Sequence, residues 1–163
     1  MDGRTRFAAL VAVFAAALFL AVAICVSGFL SLFAGSPVIV EQGTGPLLVP
    51  LMFTAATAAV FALIGVTGAG RSGRVVLPAL AIGVAAYLAF LFVGAIIYTF
   101  ERGRVVLGLL FLTSNAASPY AITVGIVAAV VSVGAIVLLG VRSAGGATRP
   151  PRWPWERRDP PPE

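Results

Sequence analysis

The chain has 163 residues, of which 60% are hydrophobic and only 10% charged, with a formal net charge of +5. A soluble domain of this length carries about a quarter charged side chains and enough polar surface to wrap its core, so a water-soluble globular fold is excluded. Histidine is absent, a single cysteine is present and every basic residue is arginine, which removes imidazole proton shuttling, thiolate metal clusters and internal disulfides.

A helix needs about 20 apolar residues to cross a hydrocarbon core of about 30 Å. The first stretch that meets this requirement is 7–33, uncharged throughout and closed by Gly35, Ser36 and Pro37. Arginines ahead of an apolar run, with "AVA" at 21–23, resemble a cleavable signal peptide. The run outlasts the 7–15 residues of a signal h-region, so a retained helix is expected. Cys25 lacks a lipobox, having Ile24 where a small residue is required, and is expected to be a buried, inert thiol. The second span is 47–69, stopped by "GAGRSGR", and the third is 75–100. Pro50 and Pro78 fall in first turns, where proline costs little. The fourth is 119–141, with Ser118 as N-cap and Pro119 at the first helical position.

Between the third and fourth spans lies "ERGRVVLGLLFLTSN". As a helix, 105–113 would cover only about 13 Å, less than half the core. A fifth crossing would also carry the arginine-rich tail away from the side of Arg4 and Arg6, against the positive-inside rule. A short interfacial element is therefore expected, beginning and ending near one surface, with Ser114 and Asn115 turning the chain. Glu101 and Arg104 are spaced to pair if the third helix continues that far. Apart from Gly108, every residue from Val105 to Leu112 is a large hydrophobe, so the element has no polar face; it either packs over its own helices and lipid tails or docks on another protein.

With four crossings, every arginine except Arg102 and Arg104 falls on the side of the two termini, which is expected to be cytoplasmic. The tail, 142–163, is rich in proline and arginine and is expected to be disordered. Its Trp153 and Trp155 suit either a headgroup anchor or a docking motif, and its arginines suit anionic headgroups better than nucleic acid. Small-residue seams are expected at Gly83 and Gly94, at Ala55, Ala59 and Ala62, and at Gly125, Ala129 and Ser132; these hold helices together within one chain or between two.

No charge lies within a span away from its ends, no nucleophile has a base beside it, and no phosphate loop or metal-ligand set is present. The expectation is a non-enzyme without cofactor or metal. "NAASP" at the entry to the last span and "PPRWPWERRD" after it resemble a group of small four-pass membrane proteins of unknown function from GC-rich Gram-positive bacteria. That resemblance implies topology and localisation and transfers no site residues.

The chain thus reads as an all-α polytopic membrane protein: a four-helix transmembrane domain, 1–141, with a short outer interfacial segment and a cytoplasmic tail. It is expected to be an accessory or scaffolding subunit of the cytoplasmic membrane, working through another membrane protein or a second copy of itself. A small-solute transporter or channel component is the alternative. The candidate contact residues are Glu101, Arg102, Arg104, Leu109, Leu110 and Phe111 on the outer side, with Trp153 and Trp155 on the inner.

Overall fold

A computed structural model describes residues 3–35, 45, 47–67 and 75–145, excepting the side chains of 3–5, 34 and 142–145. The described residues form five helices and no strand: α1 (Gly3–Ala34), α2 (Leu48–Thr67), α3 (Val76–Arg102), α4 (Val105–Ala116) and α5 (Pro119–Gly145). Four of them contain apolar stretches long enough to cross a membrane, over Arg6–Phe33, Leu48–Thr67, Val76–Arg102 and Pro119–Val141. The expected all-α fold with four spans is borne out.

Along α1, side-chain size runs opposite to the pattern of a soluble core. The buried face of α1 is Ala8, Ala12, Ala15, Ala16, Phe19, Ala23 and Ser27, whereas Phe14, Leu18, Phe29 and Phe33 point outward. Small residues inside let backbones approach, and large apolar residues outside face the hydrocarbon; water would reverse that preference. Helix-interior hydroxyls also suit lipid. Thr54, Thr57, Thr67 and Thr99 each donate to the carbonyl four residues earlier, at 2.8, 2.7, 2.5 and 2.8 Å, and so offer no free donor to an apolar solvent.

The central helix is α3, packed between α2 and α5, while α1 touches both of those flanking helices. Gly83 of α3 meets Gly125 and Ala129 of α5, and Gly94 meets Met52 of α2 and Phe111 of α4, so the two glycines of one face serve different neighbours. The expected Ala55, Ala59 and Ala62 seam is not the one used. The buried face of α2 is Leu48, Met52, Phe53, Ala56, Val60 and Ile64, with Phe53 edge-on to Phe90 at 5.3 Å, and Ala62 is exposed.

Gly103 ends α3 in the left-handed region (φ 65°), which only glycine adopts cheaply, and donates its N–H to Thr99 at 2.8 Å. The chain then folds back. Gly108 lies against Thr99 and the Ala95 carbonyl, Phe111 against Gly94 and Tyr98, and the Tyr87 hydroxyl donates to the Ala116 carbonyl at 2.7 Å. Along α3, Tyr87 is about 22 Å from Arg102 at about 1.5 Å per residue. The far end of α4 therefore rests against the middle of α3, and the expectation that both ends lie near one surface is corrected. Its helix also runs on through Ser114 and Asn115 to Ala116, leaving the turn to Ala117 and Ser118.

From that turn α5 continues in the same direction along α3, with Gly125 against Tyr87 and Gly83 and Ala129 against Gly83. In effect, α4 and α5 are one discontinuous path down α3. The break has a local cause: Pro119 has no N–H and drives the residue before it out of the α region. Its exposed backbone groups find partners nearby. Ser118 N–H donates to Asn115 O at 3.0 Å, Ala121 N–H to Ser118 Oγ at 3.2 Å and Asn115 Nδ2 to Phe111 O at 3.1 Å. Ser118 is the N-cap expected from the sequence.

Candidate functional site

The last turn of α3 and the first turn of α4 bring together all the charged side chains that the structure describes apart from Arg6. Glu101 and Arg104 sit on either side of the Gly103 turn, and Arg104 has extended backbone (φ −137°, ψ 116°), so the helical spacing that would pair them is lost. The Glu101 carboxylate instead accepts from Gly45 N–H at 3.3 Å. That contact holds the segment entering α2 against the end of α3; a Cβ on Gly45 would stand 2.5 Å from Glu101 Oε1 and would push the carboxylate aside. The Arg102 guanidinium lies over the Tyr98 ring, 5.6 Å from its centroid, within the range of a cation–π attraction.

On α4 the three hydrophobic candidates separate. Leu109 and Leu110 are 59% and 57% exposed, while Phe111 is 1% exposed. Phe111 points inward, its ring 5.3 Å from that of Tyr98, and is an anchor of α4 on α3 rather than an outward contact. The outward face is Val105, Val106 and Leu109. Along one flank of α4, Leu107, Leu110, Phe111, Thr113 and Ser114 join Tyr98 to form an open groove of about 430 Å³. Trp153 and Trp155 lie outside the described residues.

Cys25 is exposed on the outward face of α1, correcting the expectation of burial. Ser27 and Ser132 are buried, and among the described residues no group bonds either hydroxyl. Sequence reasoning overlooked Tyr87, Tyr98 and Gly45. The two tyrosines were legible in principle as hydroxyls inside an apolar run, each needing a partner or an aromatic neighbour. Gly45 carried no signal.

Over residues 1–163 the sequence matches a family described as a family of unknown function (DUF6121). The chain belongs to DUF6121. No curated protein and no solved structure matches it. Membership of DUF6121 assigns no catalytic residue, ligand or partner.

Proposed function

We propose that this chain is a small integral protein of the cytoplasmic membrane, with both termini cytoplasmic, that serves as an accessory or scaffolding subunit through contacts made by α4 rather than by chemistry of its own. One observation carries the reading: α4 is fastened to α3 along a single seam, Gly108, Phe111 and the Tyr87–Ala116 hydrogen bond, and its opposite face presents Val105, Val106 and Leu109. A short helix displayed in this way, with Arg104 at its start, offers an apolar ridge and a charge to a neighbouring membrane protein. The tail residues Trp153 and Trp155 would supply a second contact on the cytoplasmic side.

A photo-crosslinking side chain in place of Leu109, compared with one in place of Leu18 on the outward face of α1, tests this in native membranes. A discrete protein adduct from position 109 and none from position 18 is expected. Lipid adducts alone from both positions would overturn the proposal.

The break at Ala117 and Ser118 favours a second reading, an oligomeric small-solute transporter or channel component, because discontinuous helices expose backbone groups that bind solutes. It ranks second because the backbone groups named at this break are bonded to Tyr87, Asn115 and Ser118 rather than held open.

A further inference from the structure

We infer that the groove between α3 and α4 binds an anionic phospholipid of the surrounding bilayer, its acyl chain lying along Leu107, Leu110 and Phe111 and its phosphate at Arg102 and Arg104. The groove is apolar along most of its length. Its two hydroxyl residues do not alter that character, because Thr113 donates to Leu110 O at 2.9 Å and Ser114 to Phe111 O at 3.2 Å, each turned back on its own helix. Hydrocarbon fits such a wall; a polar solute would find few partners there.

One end of the groove is cationic. Arg102 stacks on the Tyr98 ring that lines the groove, and Arg104 is the N-cap of α4, three residues before Leu107; both arginines are exposed. Glu101, the only carboxylate among the described residues, accepts from Gly45 N–H at 3.3 Å. A guanidinium pair beside an apolar channel matches a phosphate joined to an acyl chain, and the planar fork of arginine favours phosphate over a neutral headgroup. A second copy of the chain would bring the same positive end to the site, and a zwitterionic lipid would gain from the wall but less from the arginines.

The test uses the full-length protein, delipidated in detergent and placed in nanodiscs of equimolar phosphatidylglycerol and phosphatidylcholine, with bound lipid counted by native mass spectrometry on release. Retention of one phosphatidylglycerol per chain is expected, preferred over phosphatidylcholine by about tenfold, the factor that corresponds to one charge-assisted contact. Arg102→Gln with Arg104→Gln should abolish the preference while leaving the melting temperature within a few degrees, since both positions are exposed. Leu110→Trp, which fills the groove and leaves the charge unchanged, should reduce retention of both lipids. Equal retention of the two lipids by the parent, an unchanged preference in the double arginine variant, or dimers in place of lipid adducts would overturn the site. Crosslinking from Leu109, which does not line the groove, is a separate readout.

Discussion

Gly83→Ala should press α3 away from α5 and lower stability by about 3 kcal/mol, the upper end of what overpacking costs. A Cβ at Gly83 would stand 2.7 Å from the Gly125 carbonyl oxygen and 2.9 Å from Ala129 Cβ. The first obstacle is the backbone of a helix, which can yield only by moving the helix. The comparison that isolates this cause is Gly94→Ala. There the atoms in the way are Met52 Cε at 2.7 Å and Phe111 Cε1 at 2.8 Å, the ends of side chains, one of them a flexible methionine, so the cost should stay near the lower end, about 1 kcal/mol. Thermal unfolding of the purified variants in one detergent checks the ranking; equal losses at the two glycines would show that α5 does not rest on Gly83.

Tyr87→Phe should loosen the end of α4. The lost hydrogen bond, 2.7 Å to Ala116 O, ties the last turn of α4 to the middle of α3 and satisfies one of the carbonyls left over where the helix stops. In a part-buried, apolar setting an acceptor stripped of its donor costs about 1–3 kcal/mol. Hydrogen exchange separates this effect from general destabilisation: amides of 112–118 should exchange faster while those of α2 keep their protection. Unchanged exchange over 112–118 would mean that α4 is held by other contacts.

The spans were legible because they depend on local properties. Apolar length identifies α1, α2, α3 and α5, and the Ser118–Pro119 pair marks the start of α5 by cap and ring chemistry that acts within a few residues. The depth reached by α4 was not legible. It depends on a bond between Tyr87 and Ala116, 29 positions apart, and on Gly108 fitting against Thr99, neither of which leaves a pattern in a uniformly apolar stretch. For the same reason Phe111 looked equivalent to Leu109 and Leu110; with no polar residue from Val105 to Leu112, only Gly108 hinted at which side faced inward. Glu101 shows a different difficulty. The expected partner, Arg104, follows from helical spacing, and the observed one, Gly45, lies 56 positions away because the Gly103 turn ends the helix first. Cys25 fell on the outward face because the inward positions of α1 are taken by alanines and serine at the seam, a choice that composition alone does not reveal.

The most direct measurement of the central claim, that α4 and α5 together make one crossing and not two, is labelling of single cysteines with a membrane-impermeant maleimide. The cysteines are introduced at Arg6, Arg104 and Arg142 in a Cys25→Ala background. In intact cells Arg104→Cys should react, and Arg6→Cys and Arg142→Cys should react only after the membrane is opened. Reaction of Arg6→Cys and Arg142→Cys from opposite sides would mean that α4 passes through the membrane by itself, and the arrangement of α4 and α5 along α3 would be wrong.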